Sequence, residues 1–184
     1  MEGFVWPQHF QFRPFFTLQP VQETREKQLK LWRELVLSYH EHHRLHVLTS
    51  SASDELFRNP AIDRQLPSEG VDAVVASLLA AHEAEWDDPE TRTTLLIYWK
   101  TPEALAREVA AWATAKLTRF DAVVAITDLL GDASSAPARG GSSSAAGAAP
   151  FQGVHAALMR RALALLEEEG RCAVIDDVGV KFAV

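Results

Sequence analysis

Cysteine and long apolar runs are scarce in this sequence. Cys172 is the single cysteine among 184 residues, which excludes an intrachain disulfide and a zinc site built on cysteine pairs. No apolar run is long enough to cross a bilayer, and the N-terminus lacks the basic and then apolar layout of a secretory signal. With 47% hydrophobic and 23% charged residues, the composition predicts a cytoplasmic globular protein.

An excess of positive charge is also missing. The formal net charge is −7, which gives no electrostatic basis for binding nucleic acid or anionic lipid. Between Pro67 and Glu90 there are seven acidic residues and neither lysine nor arginine. Such a surface repels phosphate, so direct contact with nucleic acid or with a membrane surface is not expected.

The motifs of common enzyme classes are absent from the sequence. There is no Gly-x-Ser-x-Gly nucleophile elbow, phosphate-cradling glycine loop or dinucleotide fingerprint. Cys172 lies in a predicted strand, where a buried structural thiol is more common than a nucleophile. The sequence therefore predicts a protein without catalytic residues and without a cofactor.

Four histidines cluster near the end of the first predicted helix: His40, His42, His43 and His46. Pairs one turn apart have the spacing of metal ligands. A polar helix end that complements the C-terminal helix dipole explains the same residues, and it is the preferred interpretation. No metal site is predicted.

The most distinctive feature is the N-terminal arm, residues 1–22. Its residues 4–20 carry six aromatic side chains and three prolines, which rule out an interior helix. The segment is too rich in large apolar groups for a solvated tail, so it is predicted to be extended and to bury its rings against a surface. In an extended backbone the neighbouring rings of Phe15 and Phe16 point to different sides. The core of the first domain is expected to form from the first predicted helix and the wing strands, without the arm. That surface belongs either to this chain or to a partner.

Two copies of one pattern follow the arm. Apolar periodicity predicts helix, short strand, two further helices and a hairpin over residues 23–100, which is the element order of a winged helix. The first helix is predicted from a Thr24 cap to about residue 44, and the second is a brief helix at 54–57 that ends near Asn59. Similar order returns over residues 101–184, interrupted at 132–150 by a segment rich in Ala, Ser and Gly that is predicted to be disordered. Gly170 is predicted to end the long helix that follows this segment. The predicted class is α+β, mostly helical, with two tandem winged-helix domains after the arm.

Several segments resemble one known family. The N-terminal segments 4–7 and 13–20 match its opening motif, and the residues from Thr24 to Trp32 resemble its first helix. Matches also occur at 64–67, at Glu85-Trp86 and at 179–182. The chain is thereby similar to the small subunit of the ESCRT-II complex, the number twenty-five family of the vacuolar protein sorting series.

That resemblance implies a non-enzymatic role in assembly. In the family, proline-aromatic motifs of the arm dock on the larger ESCRT-II subunits. The second winged helix engages an ESCRT-III subunit, and the complex, recruited to endosomal membranes, sorts ubiquitinated cargo into multivesicular bodies. Trp6, Pro7 and Phe10 match one docking motif, and Pro14, Phe15 and Phe16 match the other. Phe12, which lies between the two motifs, is also expected to bind the partner.

Two alternatives accompany this interpretation. A winged-helix regulator of transcription would share the fold, although the acidic stretch before and within the first wing disfavours DNA. The rings of the arm could also pack only on their own domain, in which case they would not anchor a partner. In both docking motifs the family's first proline is replaced, by Trp6 and by Arg13, and neither motif ends in tyrosine.

Overall fold

The chain divides between Trp99 and Lys100 into two compact units. The computed structural model describes residues 3–49, 55–117, 123–131 and 151–183. Each unit has its own three-stranded sheet and its own helices. The predicted insertion at 132–150 lies outside the described residues.

The first unit begins with two 3-10 helices in the arm, Gln8–Gln11 and Arg13–Phe16. The helices and strands that follow are α1 (Gln22–His43), β1 (Val47–Thr49), β2 (Arg58–Asn59), β3 (Arg64–Gln65), α2 (Ser68–Ala80), β4 (Ala84–Trp86) and β5 (Thr94–Ile97). Further 3-10 turns cover Glu55–Phe57 and Pro60–Ile62.

Strands β4 and β5 form an antiparallel hairpin, and β1 returns to pair with β5. The resulting sheet has the order β1-β5-β4, with Leu95 opposite both Leu48 and Trp86. Apolar side chains of α1, α2 and this sheet share one buried core, since a sheet must bury an apolar face against another layer. The arrangement confirms the predicted winged helix.

Local details differ from the sequence prediction. Helix α1 starts at Gln22, two residues before the predicted Thr24 cap, and its N-cap Val21 makes no side-chain capping bond. The described part of the predicted helix at 54–57 is a 3-10 turn. Strands β2 and β3 were not predicted, because two-residue strands are too short to carry a periodic signal.

The core of the first unit contains residues of the arm as well as of both helices and the sheet. Trp32 at the centre of α1 is fully buried, as are Val74 and Leu78 of α2. Its other buried apolar residues are Phe10, Phe15, Phe16, Leu35, Val36, Leu48, Leu56, Phe57, Leu66, Val71, Val75, Ala84, Leu95 and Ile97. Burial of this many large side chains is the main source of the unit's stability.

The second unit repeats the architecture. Its elements are α3 (Pro102–Lys116), β6 (Val123–Ala125), α4 (Ile126–Leu130), α5 (Ala156–Glu168), β7 (Cys172–Ile175) and β8 (Gly179–Phe182). The sheet has the order β6-β8-β7, so the first strand again pairs with the last. This correspondence of strand order confirms a second winged helix.

Helix ends in the second unit follow recognisable local chemistry. Thr101 caps α3, because its side chain accepts a hydrogen bond from the Ala104 amide at 3.2 Å, and Pro102 occupies the first helical position. Gly170 follows α5 with φ of 69°, a conformation that glycine adopts without steric cost. This agrees with the predicted role of Gly170 as the residue that ends the helix.

Candidate functional site

Three rings of the arm lie inside the first unit. Phe10, Phe15 and Phe16 are 3%, 5% and 2% exposed. The Phe15 ring stacks on Trp32 of α1 with centroids 4.3 Å apart, and Phe16 meets the same indole edge-on at 5.5 Å. The expectation that α1 and the wing build this core without the arm is therefore wrong.

The backbone of the arm explains why adjacent rings point inward together. The Phe15 amide donates to the Phe12 carbonyl at 2.9 Å, and the Thr17 amide donates to the Pro14 carbonyl at 3.2 Å. These bonds close 3-10 turns, in which neighbouring side chains do not alternate between two faces as they do in a strand. The prediction of an extended backbone with alternating rings at Phe15 and Phe16 is wrong for this reason.

Other members of the predicted set face solvent. Phe12 is 62% exposed and Trp6 is 38% exposed, while Pro14 is exposed and Pro7 is half-buried. The indole of Trp6 stacks on the buried Phe10 ring, with the ring centroids 4.1 Å apart. Large exposed rings held by buried ones are the side-chain arrangement expected of anchors for a protein partner.

An open concavity of about 530 Å³ lies beside Phe12. It is lined by Gln8, His9, Gln11 and Phe12. The lining therefore combines the exposed Phe12 ring with two side-chain amides and an imidazole. Aromatic surface next to adaptable polar groups is suited to a peptide or a protein segment.

Buried polar side chains hold the backbone of the arm in place. The Gln28 side chain, 6% exposed, donates through Nε2 to the carbonyls of Phe15 at 2.8 Å and Thr17 at 2.9 Å. Its Oε1 accepts from the Gln19 amide at 3.1 Å. Asn59, 3% exposed, donates through Nδ2 to the Phe10 carbonyl at 2.7 Å. We call Gln28 and Asn59 the amide clamp.

The end of the arm is fixed by further side chains. Arg25 donates through Nε to the Gln19 carbonyl at 2.7 Å and through Nη2 to the Pro20 carbonyl at 3.1 Å. The Gln19 side chain in turn donates to the carbonyls of Pro14 at 3.0 Å and Thr17 at 2.8 Å. These bonds satisfy carbonyls that no sheet ladder reaches, which a packed segment requires.

His9 is a titratable residue that packs against one of the inward rings. Its ring meets Phe15 edge-on at 4.7 Å, and its Nε2 is buried without a hydrogen-bond partner among the described residues. Burial lowers the pKa of the imidazole, and the Glu34 carboxylate partly offsets that effect. The neutral ring is thus the form that suits this packing.

The four histidines near the end of α1 lie in different surroundings. His40 is buried and its Nδ1 lies 2.7 Å from the Val36 carbonyl, which makes that nitrogen a donor. His46 stacks on Trp99 at 4.8 Å, whereas the exposed His42 and His43 surround Phe4. Across the residues that the structure describes, no group of three His, Cys, Asp or Glu side chains is placed to hold a metal ion.

Cys172 has the surroundings of a structural thiol. It is 6% exposed, and its Sγ lies 3.5 Å from the Leu163 carbonyl. Burial, together with the Glu167 carboxylate, raises the pKa of the thiol to about 11, so it is protonated at neutral pH. A protonated thiol is a poor nucleophile.

The helix before the first wing offers no cationic surface. Glu69 and Asp72 are exposed on α2, and Asp87 and Glu90 are exposed at the turn of the wing. Hydrogen bonds from the Glu90 amide and the Thr91 hydroxyl lower the pKa of the Asp88 carboxyl, which keeps it ionised. This negative surface disfavours a DNA-binding role.

Comparison with known proteins identifies the family. A model of the ESCRT-II complex subunit family matches residues 9–137. Vacuolar protein sorting-associated protein 25 of Arabidopsis thaliana is 32% identical over 195 residues, covering 100% of this chain and 98% of that protein. The chain belongs to the family of ESCRT-II complex subunits. The resemblance noted in the sequence is thereby confirmed.

Other members of the family match over similar lengths. Vacuolar protein-sorting-associated protein 25 is 34% identical in Drosophila melanogaster over 99% of both chains. The human protein of the same name is 32% identical over 98% of both chains. The solved structure of subunit VPS25 of the endosomal trafficking complex ESCRT-II superposes with a TM-score of 0.78 over 95% of this chain and 97% of the other, at 18% identity. At that identity the superposition supports the fold.

A chain in a second solved structure also has this fold. The crystal structure of the endosomal complex ESCRT-II (VPS22/VPS25/VPS36) matches with a TM-score of 0.73 over 97% of this chain and 98% of that chain, at 18% identity. Within the described part of this chain, no helix is both long and apolar enough for a membrane span.

The seven predicted docking residues therefore occupy one contiguous region with two faces. Phe10, Phe15 and Phe16 form the inward face, and the other four lie wholly or partly at the surface. That these residues contact a partner stays a prediction. The amide clamp was missed by sequence reasoning, although Gln28 lies one turn before Trp32, on the apolar stripe of α1. A polar residue at a buried helical position was the available signal.

Proposed function

We propose that this chain is the small subunit of ESCRT-II and that it docks on the larger subunits through the outward face of its arm. The observation that supports this most directly is the exposed Phe12, next to the concavity at Gln8 and Gln11. Trp6 and Pro14 are exposed as well. The inward rings shape that surface, and the outward side chains make the contact.

The burial of the inward rings supports a pre-organised docking surface. A flexible peptide that orders on binding loses conformational entropy, which reduces its affinity. Here the hydrogen bonds of Gln28 and Asn59 have already ordered the backbone in the free chain. The outward side chains are then presented with little further loss of freedom.

The proposal extends to the complex as a whole. The chain acts without catalysis, it joins the endosomal membrane peripherally through the complex, and the assembly sorts ubiquitinated cargo into multivesicular bodies. The second unit engages an ESCRT-III subunit. What supports these points is the family membership, together with a second winged helix that has no aromatic arm of its own.

The test is the affinity of the chain for its co-purified larger subunits. Replacing a central aromatic anchor by alanine typically costs more than about 2 kcal/mol of binding, a factor above tenfold. We expect Trp6→Ala and Phe12→Ala each to raise Kd at least tenfold in titration calorimetry. Thermal melting of the free chain should change little for Phe12→Ala, because that side chain is exposed.

A matched control is available on the same unit. Val21→Ala removes another side chain that is 62% exposed, at the end of the arm and outside the proline-aromatic motifs. It should leave Kd unchanged within about twofold, since side chains outside an anchor cluster contribute little. Wild-type affinity in the double variant Trp6→Ala with Phe12→Ala would refute docking through this face.

A further inference from the structure

We infer that Gln28 is the positioning residue of the docking surface: its side-chain amide fixes the turn of the arm that sends Phe15 inward and leaves Phe12 and Pro14 outward. This inference rests on the proposed function, because it concerns the affinity of the arm for the larger subunits. It assigns to a buried residue outside the docking motifs an effect on partner binding.

The side chain of Gln28 binds the backbone of the arm on both sides of Phe16. Gln28 Nε2 donates to the carbonyls of Phe15 and Thr17, which flank Phe16, and its Oε1 accepts from the Gln19 amide. All three bonds are between 2.8 and 3.1 Å long. Both hydrogens of the amide are therefore used on the arm, and both are used on backbone carbonyls.

A neighbouring donor strengthens the same contact. Trp32 Nε1 donates to the Phe15 carbonyl at 3.2 Å, so that carbonyl accepts from two side chains of α1. In a buried setting a carbonyl without a donor costs more than the bond itself contributes. The buried carbonyls of the arm have their donors in the observed arrangement. In that arrangement Phe12 faces solvent.

Asn59 fixes the other side of the outward face. Its Nδ2 donates to the Phe10 carbonyl at 2.7 Å, and its Oδ1 accepts from the Ala61 amide at 3.0 Å. The residues between the two attachment points of the amide clamp include Phe12, Arg13 and Pro14. The exposed docking side chains are thus held between two buried amides that come from different parts of the unit.

The chosen substitution changes the donor and keeps the shape. Gln28→Glu has nearly the same volume and preserves an acceptor for the Gln19 amide. It puts a carboxylate oxygen against the carbonyls of Phe15 and Thr17, where two acceptors repel each other. The turn should loosen, and Phe12 should lose its fixed orientation.

The experiment has two readouts on the full-length chain. Hydrogen exchange of the amides at 15–19 reports the order of the arm, and calorimetry with the co-purified larger subunits reports Kd. We expect exchange at these amides in Gln28→Glu to be at least tenfold faster and Kd to rise at least tenfold. If the variant fails to fold, Gln28→Met replaces it, because it keeps the volume and loses the bonds, and the same expectations apply.

A stability-matched variant separates positioning from general weakening. Val36→Ala opens a cavity on the same helix, at a fully buried side chain that is not part of the clamp. Kd per folded molecule should stay within about twofold of wild type for Val36→Ala. Equal weakening by Val36→Ala and Gln28→Glu, or wild-type affinity of the Gln28 variant, overturns the inference.

Phe12→Ala distinguishes a failure of this inference from a failure of the proposed function. If Phe12→Ala weakens binding and Gln28→Glu does not, the docking surface stands and the role of Gln28 is wrong. If the double variant Trp6→Ala with Phe12→Ala binds like wild type, the docking function itself is wrong. Gln22→Glu, an exposed change of the same chemistry on α1, controls for the added charge.

Discussion

Some aromatic residues of the arm are exposed and others are buried, and the sequence alone does not distinguish the two groups. Phe12 and Phe16 are the same residue type four positions apart, yet one is 62% exposed and the other 2%. The difference arises from 3-10 turns and from the bonds of Gln28, since neither ring has an intrinsic preference for its side. The exposed rings are available for binding, and the buried rings contribute to stability.

The buried rings should therefore be needed for folding. Phe16→Ala removes a ring packed on Trp32 and Phe10, and changes of this kind typically cost about 3–5 kcal/mol. Urea denaturation followed by circular dichroism should show that loss in the free energy of unfolding. Phe12→Ala serves as its control and should stay within about 0.5 kcal/mol of wild type. A Phe16→Ala variant as stable as wild type would place the ring outside the core.

The buried imidazole of His9 gives the stability a dependence on pH. Its pKa in the folded chain is lowered from 6.5, so the unfolded chain binds more protons as the pH falls below that value. The contribution of His9 to stability is full above pH 6.5 and is lost as the pH falls through the lowered pKa. Melting temperature should consequently drop more between pH 7 and pH 5 in wild type than in His9→Gln.

The other histidines are common to both proteins in that comparison, so their effects cancel. His82→Asn, at an exposed position with φ of 55°, is the control for removing an imidazole from the surface. Identical profiles for wild type and His9→Gln would show that the imidazole titrates alike in the folded and unfolded chains.

At the scale of elements, long periodic helices were predictable and short irregular segments were not. The apolar spacing along α1, α3 and α5 gave helices whose observed ends lie within about two residues of those predicted, as is usual for strongly periodic segments. The arm has no such period. Its prolines correctly excluded an interior helix, but they did not distinguish 3-10 turns from an extended chain, because proline fits both.

The candidate site shows the same limit. Sequence reasoning found the aromatic residues, since six large rings in a short segment demand a surface. It did not find Asn59, which was assigned to the end of a helix and lies in the two-residue strand β2. Its bond to the Phe10 carbonyl joins residues 49 positions apart, and contacts of that kind depend on the fold and not on local pattern.

At the scale of the whole molecule, both units are winged helices with the same strand order, and the first unit also carries the aromatic arm. The arm is part of the first core, and the buried residues of that core extend from Phe10 to Ile97. The buried residues of the second unit, such as Leu105, Met159 and Val180, all follow Lys100. Each unit thus has a set of buried apolar residues of its own.

Separating the units should divide the proposed partners between them. A fragment of residues 1–99 keeps the arm, the amide clamp and the complete first core, so it should melt cooperatively and bind the larger subunits within about threefold of the full chain. A fragment of residues 100–184 has no arm, so it should bind an ESCRT-III subunit and leave the larger subunits unbound. Calorimetry of both fragments against both partners makes the comparison, with Phe12→Ala in the first fragment as the control for specificity. Tight binding of the larger subunits by the second fragment would contradict the assignment of docking to the arm, because the contact would then lie on a winged helix that has none.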